Sequence, residues 1–227
     1  MFKQLFPVLL VPMILLGAGC ATAQNETQVN TQETEEDESV VMVDIFTDGS
    51  YILQAEQSSV SWQAQKRVGA SHNGTVQAQE GALVVQQGGV IGGSIVADMN
   101  TIADLDLTDE KFNTMLVTHL KSEDFFSVDT YPTASFAISN VEALNGLEGF
   151  SHRVDGTMTI KGIENDISFP ANLTKTEEGI KIVGTMTLDR TLWDVRYGSD
   201  TFFENLGDGL VEDEFQLSFD MFFAQAE

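Results

Sequence analysis

Residues 214–224 place Phe215, Leu217, Phe219, Met221 and Phe223 at alternate positions, with Glu214, Gln216, Ser218 and Asp220 between them and Phe222 as the one apolar residue on the outer side. A helix would scatter these side chains around its circumference, whereas a strand puts them all on one face. The segment is therefore a half-buried strand whose apolar face must be covered by another layer. Val60-Ser61-Trp62-Gln63-Ala64 alternates in the same way, and 75–79, 82–86, 90–99, 134–143, 153–161, 165–174 and 180–190 read as further strands. The pairs Asn73-Gly74, Gly88-Gly89, Lys161-Gly162 and Glu178-Gly179 read as the turns between them. Many short strands at this spacing predict an all-β barrel or sandwich.

One helical insertion interrupts the strands. Thr108 is placed to cap it, Asp109 and Glu110 occupy its first turn, and Phe112, Met115, Leu116 and His119 share one face. Ser122-Glu123-Asp124 then reads as a second helix start, one turn long and ending in Phe125-Phe126. An insertion with one apolar side must lie against the sheet or over the end of a barrel. Spacing alone allows it either to cap a filled core or to wall a ligand site.

The chain before this domain has a different character. Lys3 precedes an apolar run at 5–16, broken by Pro7 and Pro12, and Gly17-Ala18-Gly19 leads directly into Cys20. This predicts a secretory signal at 1–19 rather than a spanning helix. Cys20 is the only cysteine of the chain, and its position matches a lipoprotein signal in which that thiol is lipidated. Residues 21–50 hold eight acids and no Lys or Arg, so 20–50 is expected to be an acidic, disordered tether behind a membrane anchor. The domain proper is expected at 51–227. A formal charge of −24, with 11 Lys and Arg in all, argues against nucleic-acid binding and against adsorption to anionic headgroups.

No catalytic motif is present. His72, His119 and His152 form no i, i+4 pair and no metal-ligand phrase, and there is no nucleophile elbow, phosphate loop or Cys-His pairing. The expectation is a protein without catalysis and without a metal. Arg190 stands out as a cation at the end of an alternating strand, where burial demands a partner: an acid such as Asp124 or a ligand phosphate. The aromatic residues fit a barrel interior filled either by side chains or by a ligand, since eight strands lie at the boundary between the two.

The residues His119-Leu120-Lys121-Ser122-Glu123-Asp124-Phe125-Phe126, Tyr131-Pro132 and Phe136 open a series of motifs. Gly156-Thr157-Met158-Thr159-Ile160-Lys161-Gly162 and Gly184-Thr185-Met186-Thr187-Leu188-Asp189-Arg190 continue it, the latter running into Trp193-Asp194-Val195-Arg196-Tyr197-Gly198-Ser199. In this order and spacing, 51–224 resembles the YceI-like family of extracytoplasmic, lipocalin-like β-barrels associated with polyisoprenoids and other long amphiphiles. The chain departs from the family pattern at 65–74, where a longer polar link precedes His72. The resemblance implies an eight-stranded antiparallel barrel with an elongated apolar cavity and the helical insertion near its mouth. On this basis Trp62, Phe125, Phe126, Phe136, Phe169, Arg190, Trp193 and Phe219 are expected to line a cavity for a long apolar ligand, an isoprenoid quinone or similar lipid, with no other cofactor. The alternative is a filled barrel acting as a cell-surface interaction module.

Overall fold

In a computed structural model, residues 45–69, 71–144 and 149–226 are described. The signal at 1–19 and Cys20 lie outside them. Nine strands and one α-helix follow in the order β1 (Gly49–Leu53), β2 (Ser59–Lys66), β3 (Ser71–Gln86), β4 (Gly89–Asp104), α1 (Glu110–Lys121), β5 (Thr133–Ala143), β6 (His152–Ile160), β7 (Ile163–Lys175), β8 (Gly179–Asp189) and β9 (Val211–Gln225). Each strand pairs antiparallel with the next from β2 to β9, and β9 returns to pair with β2. β1 and β2 both lie between β3 and β9, β1 against their distal halves and β2 against their proximal halves. They are two pieces of one stave, broken by a single 3-10 turn at Ala55–Gln57. The result is a closed antiparallel barrel of eight staves, as expected.

Closure leaves two ends of different character. At the end formed by the β3–β4, β5–β6 and β7–β8 turns, Leu83, Ile180 and Phe223 are fully buried and Phe46 packs beneath them. Phe46 is held there by its N–H, which donates to the carbonyl of Gly88, and by a tilted ring contact with His152. Of the stretch expected as a tether at 20–50, residues up to 44 lie outside the described ones, while Phe46 and the first residues of β1 pack with the barrel. The other end carries α1, the 189–210 connection and the β2–β3 and β6–β7 turns.

Several local expectations change. Asn73-Gly74 is no turn but lies inside β3, opposite Gln63 and Trp62. The expected strands 75–79 and 82–86 are one strand with a bulge between Ala78 and Glu80, where the extra residue bends β3 around the barrel. Lys161-Gly162 does form a tight turn, both residues having positive φ (51° and 71°) as a two-residue hairpin of this hand requires. Asp109, not Thr108, caps α1, accepting from the N–H groups of Lys111 and Phe112. Ser122 does not start a helix: it ends α1, its N–H and hydroxyl both donating to the carbonyl of His119.

Arg190 is buried, 5% exposed, and lies between the end of β8 and the start of β9. Its Nε donates to the carbonyl of Glu212, Nη1 to that of Val195 and Nη2 to that of Val211, at 2.7–3.1 Å. Asp213 Oδ1 lies 3.2 Å from Nη2, off the line of a good hydrogen bond, and acts by its charge. The partner is therefore Asp213; Asp124 is exposed and pairs with His119 instead. Burial pulls the guanidinium below its usual pKa, opposed by Asp213 and Asp189. Arg190→Met would leave three carbonyls and a carboxylate without their cation, and should cost about 3–5 kcal/mol in denaturant unfolding. An unfolding midpoint equal to wild type would show that the pairing carries no stability.

Candidate functional site

Inside the barrel lies an elongated cavity of about 190 Å³, counted as the room open to the centres of water-sized groups. One water needs roughly 10–15 Å³ in that measure, and packed cores hold few voids larger than that. The interior is therefore hollow. All strands from β2 to β9 contribute to the wall, and its side chains are apolar except Ser135, Arg190 and Glu212. On β9 the lining runs from Val211 to Met221. Those ten steps of about 3.3 Å, on a strand tilted by 35–45°, span roughly 25 Å along the axis. That volume spread over that length is a tunnel one hydrocarbon chain wide.

The tunnel stays open because of how its aromatic rings lie. A Cβ added to Gly74 would sit 2.5 Å from the Trp62 ring, one on Gly156 2.6 Å from Phe136, and one on Gly184 2.6 Å from Phe219. Each ring thus sits against a glycine of the neighbouring strand, in space that a side chain there would take. Phe136, Phe169 and Phe219, on β5, β7 and β9, follow one another at 5.4 and 5.6 Å between ring centroids. The intervening strands β6 and β8 supply the glycines Gly156 and Gly184. Large and small residues alternate around the wall, as a barrel of this size requires.

The mouth is walled by the insertion. Phe125 and Phe126 line the tunnel, together with Leu120. The helix face differs from expectation: Phe112 and Met115 point outward, 56% and 58% exposed, while Asn113, Leu116, Val117 and Leu120 turn toward the barrel. Phe125 is clasped edge-on by His119 at 4.9 Å and packs against Tyr197 at 5.2 Å, while His119 and Tyr197 meet at 4.4 Å. This cluster ties the insertion to the 189–210 connection. Among the described residues, ten of the fifteen exposed large apolar ones (Val68, Leu105, Phe112, Met115, Leu192 and Phe203 among them) belong to segments at this end, interspersed with exposed acids.

Of the expected cavity residues, Trp62, Phe125, Phe126, Phe136, Phe169, Arg190 and Phe219 all meet the tunnel. Trp193 does not line it. Its indole is fully buried behind the wall, with Nε1 donating to the carbonyl of Met158 at 3.1 Å. Arg190 reaches the lumen with three of its five N–H donors given to main-chain carbonyls and Asp213 beside it, which weakens it as a phosphate grip. Trp62 Nε1 is buried without a hydrogen-bond partner. Lining residues such as Met99, Met158, Met186 and Met221 were not singled out in the sequence, where nothing distinguishes them from ordinary core.

The three histidines do not converge. His119 belongs to the mouth cluster and His152 to the base, while His72 lies beside Asp104 and Asp106, a set of three groups that could hold a metal. Burial pushes the Asp104 carboxyl above its ordinary range, helped by Asp106, while the N–H of Leu107 and the His72 ring work against it. For Asp106 burial acts in the same sense but is outweighed by the N–H of Asn73 and by Asp104 and His72, leaving it below that range.

The YceI-like domain family matches residues 51–223. No curated protein matches the sequence. Among solved structures, BcnA of Burkholderia cenocepacia superposes with a TM-score of 0.58 at 21% identity, covering 75% of this chain and 98% of that one. A polyisoprenoid-binding domain from Saccharophagus degradans, implicated in plant cell wall breakdown, gives 0.54 at 14% identity, covering 78% and 98%. At these identities the likeness is one of fold.

The glycine arrangement makes a direct prediction. Gly184→Val should fold into the same barrel, at a cost of about 1–3 kcal/mol, while pushing Phe219 into the lumen. Binding of a fluorescent long-chain apolar dye should weaken by about tenfold or more, a loss of at least 1.4 kcal/mol. Unchanged dye affinity in a folded variant would show that this ring does not gate the tunnel.

Proposed function

The chain belongs to the YceI-like family, and from that premise we propose that it binds or carries a long, linear apolar ligand of the isoprenoid type in its tunnel, outside the cytoplasm, and catalyses no reaction. The observation that carries this reading is the tunnel itself: narrow, apolar along nearly all its length, and lined at one end by Leu120, Phe125 and Phe126 of the insertion. Each methylene taken from water contributes roughly 0.8 kcal/mol, so ten of them supply about 8 kcal/mol before ordering costs. Micromolar binding takes about 8 kcal/mol net, so a chain longer than ten methylenes is needed to reach it without a charged contact. The similar fold of a polyisoprenoid-binding domain supports the same ligand class.

The headgroup we favour is neutral, a quinone before a polyprenyl phosphate. Arg190, the one cation lining the tunnel, is held by carbonyls and Asp213. Trp62 Nε1–H is a buried donor without a partner, suited to a carbonyl or hydroxyl oxygen. Delipidated protein titrated with a long-chain quinone, its short-chain analogue and the matching polyprenyl phosphate should show affinity rising with chain length. That affinity should be indifferent to salt, because burial is not screened. Affinity independent of chain length would remove the tunnel as the binding site, and affinity falling steeply with salt would favour the phosphate.

The reading includes an anchor. We assign Cys20 as the lipidated residue, placed directly behind the apolar run at 5–16, with the acidic stretch after it as the tether to the barrel. In the native host Cys20→Ser should move the protein from the membrane fraction to the soluble fraction. Unchanged fractionation would end the anchor assignment without touching the barrel's ligand.

A further inference from the structure

We propose that His72, Asp104 and Asp106 form a binding site for a divalent transition-metal cation of the zinc or manganese type at the mouth end of the barrel. The three residues are distant in sequence from any metal-ligand phrase, and strand pairing assembles them. His72 lies at the start of β3, Asp104 ends β4 opposite Gly74, and Asp106 follows in the bend that leads to α1. Their donor atoms lie within 4.8 Å of one another, with His72 Nδ1 3.0 Å from Asp106 Oδ2 and 4.0 Å from Asp104 Oδ2.

Each carboxylate is oriented from behind. Asp106 Oδ1 accepts from the N–H of Asn73 at 2.8 Å. Asp104 Oδ1 accepts from the N–H of Leu107 at 2.9 Å and from Asn113 Nδ2 at 3.1 Å. One oxygen of each acid is thereby fixed, and the two Oδ2 atoms are left facing the same imidazole nitrogen. Outer hydrogen bonds that hold one carboxylate oxygen and present the other are what metal sites use to orient their ligands. The Asp104 side chain is fully buried, at 0% exposure, yet its Oδ2 has no hydrogen-bond partner. A buried carboxylate oxygen left unpaired is costly, and a cation aimed at by all three groups would satisfy it.

The donor set selects the ion. One imidazole nitrogen with two carboxylate oxygens suits zinc or manganese, whereas calcium takes six or more oxygens and magnesium keeps most of its water. Three protein ligands leave a coordination position open, and His72, at 22% side-chain exposure, gives solvent access to it. Shifts of less than an ångström would bring the three donors to bonds of about 2.0–2.2 Å. Asn113 also donates to the main-chain carbonyl of Asp104, so an ion here would stiffen the junction between β4 and α1. That junction adjoins Ile102, a lining residue of the tunnel.

The test uses the chelator-treated chain and the metals alone. Calorimetric titration with Zn²⁺ and with Mn²⁺, against Ca²⁺ and Mg²⁺, should give one saturable equivalent of at least one transition ion. The melting temperature should rise by several degrees with that ion. His72→Ala and Asp104→Asn should each abolish both effects. Metal-free Asp104→Asn should melt no lower than wild type, since it removes a buried charge that lacks a full complement of partners; this keeps the test decisive if His72→Ala folds poorly. No saturable binding would overturn the proposal and leave the acid pair sharing a proton. Binding that persists in Asp104→Asn, or that Ca²⁺ and Mg²⁺ match, would also overturn it, as adsorption to an acidic surface. None of these readouts depends on the apolar ligand.

Discussion

Eight antiparallel staves enclose a lumen that side chains can only just fill, and the rest of this structure depends on how that limit is met. Here the aromatic residues that could fill it are laid against the wall. Trp62, Phe136 and Phe219 each lie over a glycine of the adjacent strand, Gly74, Gly156 and Gly184. The rings take the space a side chain at those glycines would need, and they form part of the cavity wall. At the base the opposite choice is made: Leu83, Ile180 and Phe223 project inward and Phe46 closes the opening. One barrel thus has a packed base and, above it, a hollow part that runs most of its length.

The hollow part needs support of its own, because a cavity forfeits the dispersion contacts of a filled core. Arg190 provides some of it at the place where β8 leaves the barrel and β9 enters. By binding the carbonyls of Val195, Val211 and Glu212 it ties both ends of the long 189–210 connection to one planar group. Trp193, wholly buried behind the wall and bonded to the carbonyl of Met158, pins the same connection to β6. The residues that resemble ligand contacts in the sequence are therefore partly the frame that keeps the ligand's space open. An arginine with three of its five donors on main chain and a carboxylate at 3.2 Å is less suited to hold a phosphate as well.

Much of this was legible in the alternation of side chains. The period of 214–224 survives intact as β9, and seven of the eight expected cavity residues do meet the lumen. Two of the misreadings share a cause: glycine and serine have more than one use. Asn73-Gly74 reads as a turn, but Gly74 is there to admit the Trp62 ring within β3. Ser122 reads as a helix start and instead terminates α1. Phe112 and Met115 share a helical face with Leu116, yet the face that turns inward is centred on Asn113, Val117 and Leu120. That rotation is set by the hydrogen bonds of Asn113 to the end of β4, which no local pattern reveals. The group of His72, Asp104 and Asp106 is invisible for the same reason, being created by the register of β3 against β4.

The two ends of the barrel finally bear on how a water-insoluble ligand could be exchanged. A chain held by burial alone leaves slowly into water, since every methylene must be rehydrated on the way out. Exchange is easier where the ligand passes from one apolar surface to another. The mouth end offers such a surface: Phe112, Met115 and Leu105 on one side and Leu192 and Phe203 on the other stand exposed around segments joined by the His119–Phe125–Tyr197 cluster. Scattered apolar residues on a protein surface mean little, but their concentration at one end does. A net charge of −24 opposes adsorption of this rim to anionic headgroups. What the structure does place at this end is a set of exposed apolar residues beside the His119–Phe125–Tyr197 contacts, which join the insertion to the 189–210 connection.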